Sequence, residues 1–437
     1  EASLLAGTYE TLGAIRVSGK NSGDPWDTLD AIYFDNYRLY QTDKIGIAPS
    51  VITTAVTAPA QEWYTGVSAA VEIAGTVTDS KGQQINRVEL YDNGAFIGTA
   101  AYVDGAFTFS YTAKGGSHNI TARAVNTDGT SGYGQRKFSV STIKPSNLFA
   151  DNMVLQRGKP IRIFGTGSTG EKITARLQSI GTDNNGNKID VQASTSVYGT
   201  TWELFLPAQA ACKETVLTLI SGDGTQLRYE NVALGDVIVC AGQSNMANTV
   251  GNMRIDNEAD KDYPNIRLFF QDASRATTAN SEATNGRWQI GTKANILNFS
   301  STGFVAGKYY YLEQNENVPV GLLYAAVGGT NIDVWVPSWA YDTDPDLMGN
   351  TTTNKFQHFN GMIAPLQKFA VSGVIWYQGE SNTWYGLNYE KKLTALINSW
   401  RFGWEDASLP FAVVQLPNND YSKIYGATRI GTAIREG

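Results

Sequence analysis

Gly-Asp-Val-Ile-Val-Cys-Ala-Gly-Gln-Ser-Asn-Met, residues 235–246, is the stretch from which the fold of this chain is inferred. Its middle, Val237–Ala241, is a short apolar run rich in β-branched residues and bounded by Gly235 and Gly242, which is typical of a strand buried in a parallel sheet. The turn that follows places Ser244 at the carboxyl end of that strand, where ligands bind in open α/β sheets. A serine held there can act as an exposed nucleophile, although an ordinary polar turn has the same pattern.

The composition of the 437 residues favours a globular protein of two to four domains. Hydrophobic residues make up 42% of the chain and charged residues 17%, and the 44 glycines and 22 tyrosines indicate turn-rich β modules. The formal net charge is −7 and no basic run occurs, which argues against binding to nucleic acid. No apolar segment approaches the roughly 20 residues of a membrane span. We therefore expect neither a nucleic-acid partner nor a membrane span.

The two cysteines and two histidines are too few and too far apart to indicate a metal site or a disulfide framework. Cys240 lies in the predicted buried strand and is interpreted as a small apolar residue. A disulfide between Cys240 and Cys212 is the alternative. His118 has no catalytic companion near it in the sequence. The sequence thus predicts no metal and no cofactor.

The chain before the opening stretch is predicted to form all-β modules. Residues 1–46 contain the strand-like run 32–40 and resemble the closing part of a β-sandwich carbohydrate-binding module, with aromatic residues that either stack on sugars or pack in a core. Residues 47–141 alternate strand signals with hairpin turns such as Asp92-Asn93-Gly94 and resemble a bacterial immunoglobulin-like spacer module. Residues 142–234 carry strand signals separated by glycine turns, which predicts a small accessory β domain.

The sequence pattern changes at residue 235. From there to residue 437, long apolar runs recur, and helical patterns lie between several of them. The runs lie at 237–241, 266–270, 318–326, 371–377 and 411–416. One helix is predicted at 302–314, capped by Ser301 or Thr302. A second is predicted from the amphipathic stripe of Tyr389, Leu393, Leu396, Ile397 and Trp400. Strands that alternate with helices predict a doubly wound, mainly parallel sheet.

Two further polar stretches follow strands of this predicted sheet. They are Val-Gly-Gly-Thr at 327–330 and Trp-Tyr-Gln-Gly-Glu-Ser-Asn at 376–382. Because the carboxyl ends of parallel strands meet at one edge, we expect both stretches to converge on Ser244. The combination suits acyl transfer, in which a serine attacks an ester carbonyl and preorganised donors stabilise the oxyanion. Suitable donors are the Ser244 N–H, a glycine N–H of the first stretch, and the amide of Gln378 or Asn382.

The three stretches together resemble the sialate O-acetylesterase-like branch of the SGNH (GDSL-like) hydrolases, which includes acetyl xylan esterases. Segments 147–157 and 359–366 are also similar to that family, so the likeness covers about 147–437. The resemblance implies a three-layer, flavodoxin-like α/β catalytic domain over 235–437, preceded by all-β sandwich modules. It further implies that this protein hydrolyses acetyl esters on sugars or polysaccharides of the sialic acid or xylan type. The module types imply a secreted or cell-surface bacterial protein.

The same resemblance implies roles for individual residues. Ser244 corresponds to the nucleophile, and its N–H forms the oxyanion hole together with Gly329, or Gly328, and Gln378. Glu380 either orients a catalytic histidine, as the acidic residue does in some relatives, or braces the loops. Substrate contacts are expected at four polar or aromatic positions, Gln243, Asn245, Asn382 and Trp384.

The family's general base is a histidine in an Asp-x-x-His segment near the end of the catalytic domain. Residues 1–437 contain no such segment, so the resemblance predicts a catalytic domain that continues past Gly437 and little hydrolysis by these residues alone. His358 matches no family base, and we expect it in a loop or in the substrate cleft. Two other classes stay open. One is a non-catalytic glycan-binding protein with a degenerate or truncated esterase domain, and the other is a glycosidase with Asp333 and Glu380 as paired carboxylates.

Overall fold

The computed structural model describes residues 33–35, 38–40, 50–342, 344–348 and 355–417. The chain divides into two compact units, Glu1–Ser141 and Thr142–Gly437, which are treated separately. Most of the predicted carbohydrate-binding fragment lies outside the described residues. What is described of it is an antiparallel pair of short strands, β1 (Tyr33–Asp35) and β2 (Arg38–Tyr40).

The rest of the first unit is an eight-stranded all-β region. Its strands are β3 (Ile52–Ala58), β4 (Trp63–Thr65), β5 (Ser68–Asp79), β6 (Ile85–Asp92), β7 (Ala95–Val103), β8 (Ala106–Lys114), β9 (Gly116–Asn126) and β10 (Ser131–Ser141). They are hydrogen-bonded in the order β3-β5-β8-β7-β6-β9-β10-β4. Asn93 and Asp104 have φ of 49° and 48°, the positive values that tight hairpin turns need, so both predicted turns are present. The predicted β-sandwich character of this region is confirmed.

His118 is part of a buried polar cluster in this unit. Its Nδ1 lies 2.6 Å from Asp92 Oδ2, and its Nε2 lies 2.7 Å from the carbonyl oxygen of Lys114. Both partners are acceptors, so both ring nitrogens carry hydrogens and the imidazole is charged. Burial alone would lower the pKa of His118, but these two hydrogen bonds outweigh it and the pKa is raised. His118 therefore has a structural role that needs no catalytic partner.

The described part of the second unit starts with seven strands that precede a larger sheet in the chain. They are β11 (Ile143–Pro145), β12 (Val154–Gln156), β13 (Ile161–Gly167), β14 (Lys172–Ser179), β15 (Asp190–Ser196), β16 (Thr201–Leu206) and β17 (Cys212–Ser221). Strands β11, β13 and β16 form an antiparallel three-stranded sheet in that order. In a second sheet, neighbouring strands follow the order β15-β14-β17-β18, where β18 is Gln226–Gly242. Strand β18 is 17 residues long and continues without a break through position 235.

The predicted, mainly parallel sheet is built around the second half of β18. The other strands are β19 (Tyr263–Phe270), β20 (Arg287–Gly291), β21 (Val320–Ala326), β22 (Gly373–Tyr377) and β23 (Phe411–Val413). Parallel pairing gives the order β19-β21-β18-β22-β23, with β20 antiparallel to β19 at the edge. Numbered along the chain, this order is 2-3-1-4-5, whereas a flavodoxin-like sheet has 2-1-3-4-5. Strand β21 pairs directly with β18 and leaves β19 outside it, so the described order differs from 2-1-3-4-5 in the position of β21, and the three-layer arrangement stays a prediction.

Five short or medium α-helices accompany these strands in the described part of the unit. They are α1 (Ser244–Ala247), α2 (Lys293–Leu297), α3 (Ser301–Glu313), α4 (Pro345–Met348) and α5 (Tyr389–Gly403). Helix α3 is capped by Ser300, whose Oγ accepts the Gly303 N–H at 3.0 Å, so the predicted caps Ser301 and Thr302 are wrong. Helix α5 buries the predicted stripe except for half-buried Ile397. No helix in the described part is long and apolar enough to cross a membrane.

Candidate active site

The turn that carries Ser244 is fixed by contacts with the strands on either side of β18. Gly242 has φ of 148°, and a Cβ there would lie 2.0 Å from the carbonyl oxygen of Tyr377, so the position requires glycine. The Gln243 N–H donates to that same oxygen at 3.0 Å, and the Val327 N–H donates to the Gly242 carbonyl at 3.1 Å. Ser244 follows as the first, half-buried residue of α1. Its position is thus set by the ends of β21 and β22 together.

The predicted glycine pair lies directly against Ser244. A Cβ on Gly328 would be 3.7 Å from Ser244 Cβ and 3.8 Å from Ser244 Cα. Gly329 has φ of 74°, and no heavy atom lies within 4 Å of the position that its Cβ would take. Within the described ranges, neither the Ser244 N–H nor the Gly329 N–H donates a backbone hydrogen bond. Both N–H groups are therefore available to an oxyanion bound beside the serine.

The Gln378 amide joins the three predicted stretches. The side chain is 2% exposed, and its Nε2 lies 3.1 Å from Gln243 Oε1, 3.1 Å from the Thr330 carbonyl oxygen and 2.7 Å from Asn382 Oδ1. Gln243, Thr330 and Asn382 come from the three different stretches, and all three contact this one amide group. This confirms that the three strand ends converge, as the sequence analysis expected.

The orientation of that amide is fixed by its surroundings. Gln243 Oε1 also receives a backbone N–H at 3.2 Å, and Asn382 Oδ1 receives the Ile332 N–H at 2.9 Å, so both are oxygens. The Tyr389 hydroxyl lies 2.9 Å from Gln378 Oε1 on the other side. The two amide hydrogens of Gln378 therefore face three acceptors. Donation to an oxyanion, as predicted for Gln378, requires it to give up one internal partner.

Glu380 contacts the residue after the serine and retains an unused oxygen. Its Oε1 accepts a hydrogen bond from Asn245 Nδ2. Its Oε2 is buried and has no hydrogen-bond partner among the described residues. A buried carboxylate oxygen without a donor is unfavourable, so this atom is suited to a further N–H or O–H donor.

Residues 234–434 match the family of carbohydrate esterases described as sialic acid-specific acetylesterase. This part of the chain is thus similar to that family. Residues 53–122 match the bacterial Ig domain family. The sialate O-acetylesterases of Homo sapiens and Pongo abelii are each 28% identical to the chain over 312 residues, which cover 62% of this chain and 57% of the relative. The chain thus spans less than two thirds of the length of these relatives.

A solved structure shows the same likeness. A carbohydrate acetylesterase from Xanthomonas citri is 28% identical, with a TM-score of 0.57 over 67% of this chain and 65% of that chain. Together with the family match, this likeness confirms the acetylesterase resemblance and the presence of a bacterial Ig-like module.

Shortly after the loop of Gly328 and Gly329 (the glycine loop), the second unit holds a buried ion pair that the sequence analysis missed. Lys392 Nζ lies 2.8 Å from Asp333 Oδ1, and the two side chains are 2% and 1% exposed. The Tyr341 hydroxyl donates to the same oxygen at 3.1 Å. Because Asp333 is enclosed by these partners, it is not placed as an exposed carboxylate that faces a sugar. Lys392 follows Lys391, an exposed residue, and two adjacent lysines do not by themselves indicate a buried ion pair.

His358 is buried in a helical segment of the second unit and lies neither in a loop nor in a cleft, which corrects the sequence prediction. It is 2% exposed, and its Nδ1 lies 2.8 Å from the Ser274 carbonyl oxygen, so Nδ1–H is the donor. Its ring stacks on Trp335 at a centroid distance of 5.0 Å, and its Nε2 has no hydrogen-bond partner in the described part. Burial lowers the pKa of His358, which keeps it neutral. No described contact joins it to Ser244.

The residues predicted to bind substrate differ in how accessible they are. Gln243 and Asn382 are 2% and 1% exposed, and their side-chain oxygens accept internal hydrogen bonds. Asn245 is half-buried next to Ser244. The side chain of Trp384 lies outside the described part of the structure.

Both cysteines are free thiols, so the alternative of a disulfide between them is wrong. Cys240 lies near the carboxyl end of β18, and burial raises its pKa to about 12. The thiol stays protonated at neutral pH and packs as a small apolar group, as predicted.

Proposed function

We propose that this protein is a carbohydrate O-acetylesterase with Ser244 as its nucleophile. The observation that carries the proposal is the position of Ser244 at the end of β18, directly against Gly328, with unpaired N–H groups beside it. β18 is flanked by β21 and β22, where the strand order reverses, and such a switch point is the usual ligand site of an open α/β sheet. The family match supports acetylated carbohydrate as the substrate.

In the proposed reaction, Ser244 Oγ attacks the acetyl carbonyl carbon and forms a tetrahedral intermediate. The N–H groups of Ser244 and Gly329 stabilise the oxyanion. The sugar oxygen leaves with a proton, and water then releases acetate from the acyl-enzyme. Gln378 remains the predicted third donor. Its three acceptors compete for two hydrogens, so transfer of one to the oxyanion costs about one internal hydrogen bond, a net 0.5–1.5 kcal/mol.

A base must take the proton of Ser244, and we propose a histidine whose second ring nitrogen donates to Glu380 Oε2. The unpaired, buried state of that oxygen supports this role over loop bracing alone, since Oε1 already holds Asn245. No histidine within the described ranges contacts either residue. Asn245 is proposed to contact the substrate, and the predicted contact by Trp384 stays a prediction. Gln243 and Asn382 are proposed to act through the loops that they hold.

We also propose the finer architecture and setting inferred from the sequence. Four segments are assigned: a carbohydrate-binding fragment at 1–46, an Ig-like spacer at 47–141, an accessory β domain at 142–234 and a three-layer SGNH domain at 235–437. Such modules would raise the local concentration of a polymeric glycan at the catalytic domain. A secreted or cell-surface location fits these module types. The names of the curated relatives favour sialic acid, and acetyl xylan is the second substrate to test.

The test is covalent labelling of the natural full-length protein with a fluorophosphonate, followed by peptide mass spectrometry. We expect the label on Ser244, and acetate release from acetylated sugars that Ser244→Ala abolishes. Ser196→Ala, on an exposed position of β15, is the matched control and should behave as the wild type. Glycan binding without label or acetate release would instead establish the non-catalytic alternative.

A further inference from the structure

One face of α5 holds two of the three loops that supply the proposed oxyanion donors. At its start, the Tyr389 hydroxyl lies 2.9 Å from the carbonyl oxygen of Gln378. One turn later, Lys392 makes its 2.8 Å ion pair with Asp333. Positions three apart on a helix lie on the same face, so α5 contacts the end of β22 and the segment after β21 at neighbouring points. The helix is a common support for the two loops.

Asp333 lies shortly after the glycine pair, in a 3₁₀ turn formed by Ile332–Trp335. The start of this turn is held by the Ile332 N–H, which donates to Asn382 Oδ1 at 2.9 Å. Its end is held by α5, because Trp400 Nε1 donates to the Trp335 carbonyl at 3.0 Å. The Asp333–Lys392 pair is the charged contact between these two points. Movement of Asp333 would therefore be passed directly to the glycine loop that precedes it.

The charge pair suits positioning better than it suits stability. Replacement of a buried ion pair by apolar residues of similar volume is often neutral or stabilising, so such a pair is weak evidence for a contribution to folding. Two buried charges do, however, strongly disfavour any arrangement that separates them. The side chains of Asp333 and Lys392 are 1% and 2% exposed, so solvent cannot take the place of either partner if the loop shifts.

We propose that Asp333 and Lys392 are a positioning pair that sets the Gly328-Gly329 N–H groups against Ser244. The pair acts through the loop and α5, and it touches neither substrate nor reacting atoms. This inference rests on the proposed esterase function. Because a misplacement of about 1 Å at a catalytic group costs about 10²-fold in rate, the pair should govern turnover more than substrate affinity.

The experiment compares three variants of the natural full-length protein in acetate-release kinetics. Lys392→Met leaves the Asp333 carboxylate unpaired, and we expect kcat to fall about 30- to 100-fold with KM changed less than about threefold. The double variant Lys392→Met/Asp333→Asn removes both charges and keeps the shape, and it should recover at least tenfold of that loss. The control is Lys391→Met on the neighbouring exposed residue, whose surface ion pair contributes little, so its kcat should equal that of the wild type.

A second readout keeps the test independent of catalysis. With glycine-selective ¹⁵N labelling, the amide resonances of Gly328 and Gly329 should shift in Lys392→Met, return in the double variant and stay unmoved in Lys391→Met. An inactive wild type would refute the esterase proposal, while these resonances would still decide on the pair. If Lys392→Met does not fold, Tyr341→Phe removes one hydrogen bond without a change in charge, and kcat should fall about three- to tenfold.

Three results would overturn the inference. They are an unchanged kcat with unmoved glycine resonances in Lys392→Met, an effect confined to KM, and a double variant no better than the single one.

Discussion

Replacement of Gln378 by methionine keeps the approximate volume of the side chain and removes its amide group. The substitution deletes the hydrogen bonds from Nε2 to Gln243, Thr330 and Asn382, and the one that Oε1 receives from Tyr389. It therefore tests both roles that the surroundings of Gln378 allow. One is donation to the oxyanion, and the other is alignment of the three loops.

The cost to folding follows from which atoms lose a partner. Gln243 Oε1 keeps a backbone N–H, Asn382 Oδ1 keeps the Ile332 N–H, and the Tyr389 hydroxyl keeps the carbonyl oxygen of residue 378. The Thr330 carbonyl loses its amide partner, and a buried acceptor left unpaired costs about 1–3 kcal/mol. We expect the free energy of unfolding to fall by about that amount.

The cost to catalysis is separate and larger. Removal of one oxyanion donor lowers kcat by roughly 10²–10³-fold, or about 2.7–4 kcal/mol, with little change in KM. The assays are steady-state acetate release and urea unfolding of the natural full-length protein. Gln226→Met, at an exposed glutamine near the start of β18, is the control and should change neither quantity.

The combination of results discriminates between the two roles. A kcat equal to that of the wild type, with unfolding easier by about 1–3 kcal/mol, would contradict the donor role and leave Gln378 as a brace. A rise in KM alone would place its contribution in ground-state binding. Unchanged kinetics and unchanged stability would refute both parts of the reasoning.

Three further changes test other parts of the structure. Gly242→Ala should abolish acetate release and lower stability, since its Cβ would lie 2.0 Å from a carbonyl oxygen; Gly222→Ala, with no contact under 3.6 Å, is the control, and an active Gly242→Ala would contradict the close approach. Glu380→Gln should lower kcat by roughly 10²–10⁴-fold if the carboxylate orients the base, whereas a loss of stability alone would leave Glu380 as a brace. For His118, the raised pKa means that its contribution to stability is present below its ordinary pKa and lost as pH rises through the raised value. Burial alone would raise the pKa of Asp92, but hydrogen bonds led by that from His118 lower it, so its contribution is lost as pH falls through the lowered value. Thermal unfolding of the first unit should therefore show a stability maximum between these limits, and Asp92→Asn should flatten it; an unchanged pH profile would contradict the charged pair.

Much of the candidate site was predictable because its signals are local. A strand buried on both faces must be apolar, so Val237–Ala241 stands out, and the glycines after it mark a turn with a close backbone approach. The strand order was not predictable in this way, because the pairing of β21 with β18 joins residues far apart in the sequence. Nor was the ion pair of Lys392, since its partner Asp333 comes from a turn that is distant in the sequence.

Gly235 shows that a local signal does not fix the length of a strand. In the sequence it bounds the apolar run Val237–Ala241, since glycine commonly interrupts strands. In the structure it lies inside β18, and a Cβ there would be 1.9 Å from the Pro319 carbonyl oxygen. The glycine is present because a neighbouring backbone passes close by, and the strand itself continues.

That continuity has a consequence for how the second unit comes apart. The first half of β18 is antiparallel to β17, its second half is parallel to β21 and β22, and β12 pairs with it at positions 233–235. Cleavage of the chain at position 234 would divide one strand in two and expose hydrogen-bonding edges on both pieces. The accessory strands and the sheet that carries Ser244 should accordingly melt in a single transition, and neither piece should be obtainable as a soluble fragment by itself.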